Sequence, residues 1–385
     1  MVRKIPISEL KVGMRVVDMG QAWIERPFLF CEAGVITSDR QIKAIRDEGY
    51  LELFVEAPGA DFGGQSQAEP AVATGPELAE AKALYAQSLR LARDIFRDAK
   101  LGRPVNHKEA SLLIEAMVAS VTNRPEAMAS LIKLKTHDEY TFGHCVNVAV
   151  LVVIFGHYLG HGPGELHGLG LAGIYHDLGK TKVPTEILNK PGRLTEGEFR
   201  IIKRHPAYGA DILESQGILN QEVLSTIRQH HEKYNGLGYP LGLKGDAKRL
   251  EAQMLSMADV YDALTSDRPY SKAALPNTAM RVMFNLRDMD LPADLIDKFI
   301  KCLGIYPVGS LVRLNNGAVA VICQGNTRDP LHPKVNIILD KNLRRRPHQT
   351  LDLSSPKVQA MGPGFDIAGP VDPGDLGLDR GVVLL

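Results

Sequence analysis

The sequence LHGLGLAGIYHDLGK, at residues 166–180, joins an apolar helical run to the dipeptide His176-Asp177. Two adjacent residues on a regular helix diverge by about 100°, so their side chains face one metal ion together only at a helix end or an irregular turn. Gly179 permits such a turn, because glycine has no Cβ to restrict the backbone. We therefore expect a helix that ends in an imidazole and a carboxylate directed at one site.

The segments on either side of this run have the periodicity of amphipathic helices. Apolar side chains recur at helical spacing over residues 76–96, 108–121, 145–155, 195–205 and 294–303. The pattern predicts a mainly α protein whose all-helical domain covers residues 77–305.

Smaller units are predicted at the two ends of the chain. Strand-like pieces and an amphipathic stretch at 38–48 indicate a small α+β domain at 1–56, followed by a Gly- and Pro-rich linker at 57–76. Alternating residues around Asn316-Gly317 predict a β hairpin or three-stranded appendage within 306–350. The Gly- and Pro-containing remainder, 351–385, is expected to be irregular.

Composition excludes several classes of protein. The 385 residues contain 45 Lys and Arg against 45 Asp and Glu, so the formal net charge is zero and no global field attracts nucleic acid polymers or anionic lipid. The four cysteines form no CxxC pair, which favours reduced thiols. The N-terminus lacks a signal-peptide pattern, and the apolar run 148–155 is too short to span a bilayer. We expect a cytoplasmic protein without a membrane segment.

Histidines are concentrated in the middle of the chain. Nine of the 12 lie between residues 137 and 231, and several adjoin carboxylates, as in His176-Asp177 and His230-His231-Glu232. A single histidine is usually a hydrogen-bonded core or surface residue. The group, however, is a nitrogen and oxygen ligand set that suits iron, manganese or zinc. One further member, His205, precedes Pro206 and is therefore expected at the start of a helix.

Several motifs together resemble one known family. HDLGK at 176–180, HHE at 230–232, NGLGYP at 235–240 and DVYDALTSDRPY at 259–270 occur in the order found in HD-GYP proteins, as do His144 and the His-Pro at 205–206. The resemblance covers about residues 135–275. It implies an all-helical HD-type phosphohydrolase domain, and residues 1–56 resemble a small domain of unknown function that often precedes it.

The resemblance also implies a dinuclear metal centre with two divalent ions, iron or manganese. One ion would be held by His144, His176, Asp177 and Asp259, and the other by Asp177, His205, His230 and His231. Two cations about 3.5 to 4 Å apart neutralise a phosphodiester and lower the pKa of a shared water.

Further residues are expected to act on the substrate. Asp177 and Lys180 are the catalytic candidates, and Lys180, Tyr239, Arg268 and Lys272 are the substrate-binding candidates. Tyr239 alternatively closes the core as part of a rigid turn. The side chains of Glu232, Asp262 and Thr265 are expected to support the site or cap helices rather than to bind metal.

Two positions depart from the family pattern. Tyr140 stands one helical turn before His144, where some members have a glutamate that binds a third metal, so two metals are expected here. Ser271 stands where many members have Lys or Arg, and the basic residue, Lys272, comes one place later.

The resemblance implies hydrolysis of cyclic di-GMP to pGpG, with further hydrolysis to GMP left open. Other hypotheses are hydrolysis of another nucleotide, such as cyclic GMP-AMP or a nucleoside polyphosphate, and a di-iron oxygenase. A different class is a module that binds cyclic di-GMP or docks a diguanylate-cyclase domain through the GYP loop. Homodimerisation also stays open.

Overall fold

In the computed structural model, the described residues are 2–12, 14–16, 34–35, 42, 52–56, 76–132, 140–188, 190, 194–218, 220–266, 273–326, 329–372 and 376. Of the predicted linker at 57–76, residues 57–75 lie outside them, whereas Pro76 begins the first helix. The amphipathic stretch 38–48 also lies outside them apart from Ile42.

The N-terminal unit contains an antiparallel sheet in the order β1-β4-β2-β3. Its strands are β1 (Val2–Pro6), β2 (Arg15–Val16), β3 (Gly34–Val35) and β4 (Glu52–Glu56). Of the strand-like sequences MRVVDM at 14–19 and VITSD at 35–39, the described residues Arg15, Val16 and Val35 lie in strands.

Among the described residues, twelve helices lie between this sheet and a second one near the C-terminus, and the prediction of a mainly α protein is confirmed. The first six are α1 (Pro76–Lys100), α2 (His107–Asn123), α3 (Pro125–Leu131), α4 (Tyr140–Leu159), α5 (Pro163–Tyr175) and α6 (Thr185–Leu188). The next six are α7 (Glu196–Ile202), α8 (His205–Ser215), α9 (Gln221–Gln229), α10 (Leu250–Thr265), α11 (Pro276–Phe284) and α12 (Ala293–Leu303).

Helix α4 forms the centre of the helical core. Its side chains from Cys145 to Phe155 are all buried, and it packs against α5 and α10. Among the described residues, one stretch is long and apolar enough to cross a membrane, Phe142–Leu159 within α4, and 67% of it is buried inside the protein. A mostly buried core helix can have the same length and apolar composition as a membrane-spanning helix.

A five-stranded antiparallel sheet follows α12 in the order β8-β7-β6-β5-β9. Its strands are β5 (Leu311–Leu314), β6 (Val319–Gln324), β7 (Lys334–Leu339), β8 (Arg345–Asp352) and β9 (Ile367–Pro370). The sheet therefore has more strands than the predicted hairpin or three-stranded appendage. The prediction of an irregular tail from residue 351 is also wrong, because a short helix, α13 (Pro356–Gln359), leads into β9, which pairs with β5.

Candidate metal centre

His176 and Asp177 lie at the end of a helix, as the sequence predicts. Helix α5 ends at Tyr175, His176 is its C-cap, and a 3₁₀ turn over Leu178–Lys182 follows. The two side chains are completely buried, with exposed fractions of 0% and 2%. The change from α-helix to 3₁₀ turn lets adjacent residues contribute to one site.

Gly179 brings a second helix against this turn. A Cβ on Gly179 would lie 1.9 Å from the carbonyl oxygen of His205 and 2.4 Å from the backbone nitrogen of Gly209. The sequence assigned Gly179 to the turn itself, whereas its close approach to α8 is the stronger constraint. The approach places His205, the first residue of α8 as predicted, with its Nε2 atom 3.4 Å from Asp177 Oδ1.

The HHE sequence follows the end of α9 and completes this side of the site. His230 is the C-cap of α9, and its Nε2 atom lies 3.4 Å from His205 Nε2. The ring centroids of His230 and His231 are 4.1 Å apart.

Helices α4 and α10 supply the other side. His144, in the first turns of α4, has its Nε2 atom 3.1 Å from Asp259 Oδ1 of α10. On the far side of the ring, Nδ1 lies 2.8 Å from Asp262 Oδ2. One turn of α10 therefore carries a carboxylate for each nitrogen of the imidazole.

The potential ligand atoms form two groups that share Asp177. In each group the atoms lie within 4.8 Å of one another, and the members are Asp177, His205, His230 and His231 in one group and His144, His176 and Asp177 in the other. Asp259 is adjacent to the second group through its contact with His144. All seven residues proposed from the sequence as metal ligands are thus brought together, and Asp177 lies between the groups.

Three histidines have their tautomer fixed by a backbone carbonyl. The Nδ1 atoms of His176, His205 and His230 lie 2.8, 2.8 and 2.6 Å from the carbonyl oxygens three residues earlier. A carbonyl oxygen only accepts, so Nδ1 is the protonated nitrogen and donates. The lone pair of each Nε2 atom is thereby directed into the site, as a metal ligand requires.

Two buried polar atoms of this site lack a hydrogen-bond partner among the described residues: Nε2 of His176 and Oδ1 of Asp177. An unsatisfied buried polar atom costs about 1–3 kcal/mol. Nε2 of His176 belongs to one group, whereas Oδ1 of Asp177 lies 3.4 Å from Nε2 of His205 in the other, so cations bound by the two groups would satisfy both atoms. The residues therefore fit a metal centre.

The two carboxylates of the site are ionised. Burial opposes their charge, but the Lys180 ammonium, whose Nζ lies 2.6 Å from Oδ2, holds the pKa of Asp177 well below its usual range. Burial likewise opposes the charge of Asp259, but the hydrogen bond from His144 and the charge of that imidazole hold the pKa of Asp259 well below normal. Both groups are available as anionic ligands.

Most of the imidazoles are neutral. Burial lowers the pKa of His176 and of His230, and burial with the neighbouring His205 lowers that of His231 to about 3. Burial also opposes the charge of His144, but Asp259 and Asp262 outweigh it and raise its pKa to about 9.

Two further candidates border the cluster. Lys180 Nζ donates to Asp177 Oδ2 over 2.6 Å. The ring of Tyr239 lies 4.8 Å from that of His231, and Lys203 Nζ lies 5.7 Å from the Tyr239 centroid. Tyr239 is therefore part of the site rather than of the helical core. Burial raises the pKa of its hydroxyl, which stays protonated and able to donate.

Of the three residues predicted to support the site or cap helices, Asp262 and Glu232 contact parts of the site and, within the described structure, Thr265 does not. Asp262 supports the site through His144, and the Glu232 carboxylate accepts from the backbone N–H groups of Leu241 and Leu243, which holds the GYP loop. Thr265 instead donates to a carbonyl of its own helix, α10.

Some candidates cannot be placed. Arg268, Ser271 and Lys272 lie outside the described residues. Tyr140 is the first residue of α4, and its side chain is not among those that the structure describes.

Sequence reasoning missed Asn147 and Lys248. Asn147 donates to Asp262 Oδ1 over 3.0 Å and accepts from Tyr85 Oη over 2.6 Å. Its position three residues after His144, on the same face of α4, was an available signal. Lys248, only 2% exposed, donates to the carbonyl of Glu232 and to Ser256 Oγ. Nothing in its local sequence distinguishes it from a surface lysine.

Family models match three parts of the chain. Residues 114–290 match an HD domain, residues 2–110 a domain of unknown function (DUF3391), and residues 311–359 a KOW domain associated with the HD domain. The chain is 34% identical over 370 residues to the cyclic di-GMP phosphodiesterase PA4108 of Pseudomonas aeruginosa, covering 92% of this chain and 89% of that protein. The chain belongs to the HD-GYP family. Its cluster of imidazoles and carboxylates is a divalent-metal site.

Other proteins resemble parts of this HD-GYP chain. The 3'3'-cGAMP-specific phosphodiesterase 1 of Vibrio cholerae is 38% identical over 157 residues, covering 40% of this chain and 36% of that protein. The solved structure of Bd1817, an HDG"Y"P protein from Bdellovibrio bacteriovorus, matches at a TM-score of 0.49 and 17% identity, covering 78% of this chain and 98% of that one.

Proposed function

We propose that this HD-GYP protein is a metal-dependent phosphodiesterase that hydrolyses cyclic di-GMP to pGpG. The observation that carries the proposal is Asp177, a buried and ionised carboxylate that belongs to both groups of potential ligands. Similarity to PA4108 over nearly the full length of both chains supports the substrate.

Seven residues would hold two ions. Asp177 would contribute to both, with His205, His230 and His231 on one side and His144, His176 and Asp259 on the other. Bound divalent metals supply positive charge for the phosphodiester and lower the pKa of a water nucleophile. Nitrogen and oxygen donors suit iron or manganese. Burial raises the pKa of the nearby Cys145 thiol, so this side chain offers no thiolate.

The remaining site residues would bind and orient the substrate. Lys180 places an ammonium group beside Asp177, where it can donate to a non-bridging phosphate oxygen. Tyr239 presents a ring for stacking on guanine and a protonated hydroxyl for hydrogen bonding. Asp262 and the carbonyls of Gly173, Ile202 and Ile227 keep four imidazoles in fixed orientations.

Cyclic GMP-AMP is a second candidate substrate. It differs from cyclic di-GMP in one base only, so the phosphodiester chemistry at the metal centre is the same. The 38% identity over 157 residues to the Vibrio cholerae 3'3'-cGAMP-specific enzyme supports testing both.

The test is anaerobic hydrolysis by protein loaded with Fe(II) or Mn(II), with metal content measured on the same sample. We expect about two metals per chain and release of pGpG from cyclic di-GMP, and faster turnover of 3'3'-cGAMP would reassign the substrate. Asp177→Asn should lose metal together with activity. The control is Asp211→Asn, an exposed carboxylate on α8 whose loss should change neither quantity. Full metal content without turnover of either dinucleotide would refute the proposal.

A further inference from the structure

A cavity of about 390 Å³ lies between the helical core and the C-terminal sheet. The helices contribute Ala129 of α3, Ile154 of α4, Tyr261 of α10 and Leu303 of α12, and the sheet side contributes Leu311 and Val371. The volume falls in the range of small-molecule sites, about 300–1,000 Å³. None of the seven ligand candidates lines it, so the cavity is separate from the metal centre.

The charge of the walls restricts what the cavity can hold. Among the described lining residues there is no lysine or arginine, and Glu126 supplies the one carboxylate. Burial raises the pKa of the Cys302 thiol, another lining group, to about 12, so it is uncharged. An anion would meet the Glu126 carboxylate and mostly apolar walls, and burying a charge in such surroundings is costly. Nucleotides and carboxylates are therefore poor occupants.

The polar groups of the lining can still orient a neutral molecule. Asn277, Thr265 and His157 add hydrogen-bonding groups to otherwise apolar walls. A mostly apolar pocket with a few polar groups is the usual composition of a small-molecule site.

We propose that this cavity binds a neutral, largely apolar small molecule between the HD domain and the C-terminal sheet. The molecule would contact α10 at Tyr261 and Thr265, within one helical turn of Asp262, which orients His144. The site uses none of the groups assigned to phosphodiester hydrolysis, so it stands independently of the proposed function.

The test compares two fluorescent probes with the same aromatic rings. N-phenyl-1-naphthylamine is neutral, whereas 8-anilinonaphthalene-1-sulfonate carries a sulfonate. Titration of the full-length, metal-loaded protein should give one site for the neutral probe and at least about tenfold weaker binding of the anionic one. Replacing Glu126 with arginine should strengthen binding of the anionic probe.

Variants locate the binding site. Ala129→Phe fills the cavity and should weaken binding of the neutral probe at least about tenfold. If this variant fails to fold, Ala274→Phe fills the cavity from another wall and should have the same effect. Ala116→Phe adds the same group to an exposed position on α2 and should have no effect. Unchanged affinity in the folded cavity variants, or equal binding of the two probes by the unsubstituted protein, would overturn the proposal.

Discussion

Three imidazoles of the site use carbonyl groups that helix ends leave free. The last carbonyls of a helix have no partner within it. The Nδ1 atoms of His176, His205 and His230 donate hydrogen bonds to such carbonyls, in the last turns of α5, α7 and α9. The negative ends of three helix dipoles therefore lie beside the site, which favours a cation there.

His144 is oriented differently, and a substitution tests how. Its Nδ1 atom faces the Asp262 carboxylate, whose other oxygen accepts from Asn147. Asp262→Asn removes the negative charge beside His144. Its amide nitrogen would also face one of the two present donors, His144 Nδ1 or Asn147 Nδ2. We therefore expect metal affinity to fall about 10–100-fold. Competition with a chelator measures this. The exposed Asp294→Asn on α12 is the control, and unchanged affinity in Asp262→Asn would show that His144 needs no such support.

At the scale of elements, the approach of α8 to the 3₁₀ turn after His176-Asp177 depends on Gly179. Gly179→Ala would place a methyl group against the backbone of α8, so we expect a loss of about 3 kcal/mol in unfolding free energy together with metal. Gly168→Ala on α5 is the matched control, since its Cβ would meet nothing closer than 3.8 Å. Alanine there should stabilise the helix by up to about 1 kcal/mol. Denaturant unfolding and metal analysis would distinguish them, and equal effects would contradict the argument.

Lys248 connects the turn after α9 to α10. Its Nζ atom donates to Glu232 O and Ser256 Oγ over 2.7 and 2.6 Å, and Ser256 Oγ also contacts the carbonyl of His230. Burial lowers the pKa of Lys248 from 10.5 to about 7, although the carboxylates of Glu232, Asp259 and Asp290 oppose this shift. Between pH 7 and 10.5 the folded protein therefore holds mainly a neutral amine where the unfolded chain holds mainly an ammonium.

This pKa shift predicts a pH-dependent stability. Between pH 7 and 10.5 the unfolded chain binds more protons at Lys248 than the folded one, so its contribution to the unfolding free energy rises with pH. Below pH 7 the penalty of the buried charge is complete. Relative to Lys248→Met, the unsubstituted protein should gain up to about 1.4 kcal/mol per pH unit. Urea titrations from pH 6.5 to 9.5 measure the difference, and parallel curves for the two proteins would contradict the shift.

The sequence predicts those elements whose signal is local. Apolar stripes predicted α1, α2, α4 and α12, and the pre-proline position predicted His205 at a helix start. Strand β9 was missed because IAGP has no alternating pattern and its pairing with β5 joins residues far apart in the chain. Lys248 was missed because its burial depends on Glu232 and on α10, which only the tertiary structure brings together.

At the scale of the whole molecule, the chain contains separate apolar cores. One joins the helices, and others lie on the two faces of the C-terminal sheet. All seven ligand candidates belong to the helical part. A ligand that binds only the folded state stabilises it, by about 4 kcal/mol at 1,000 times its dissociation constant. Metal should therefore stabilise the helices around the site and leave the sheet unaffected.

Hydrogen exchange with and without Mn(II) tests this division. With metal in excess, the amides of α4, α5, α8 and α10 should exchange more slowly than in the chelated protein, because opening these helices requires release of the metal. The amides of β5–β9 should exchange at the same rate in both. Asp177→Asn should abolish the difference, since Asp177 belongs to both groups of ligand atoms. Equal protection of the sheet would instead mean that helices and sheet open as one cooperative unit, despite their separate cores.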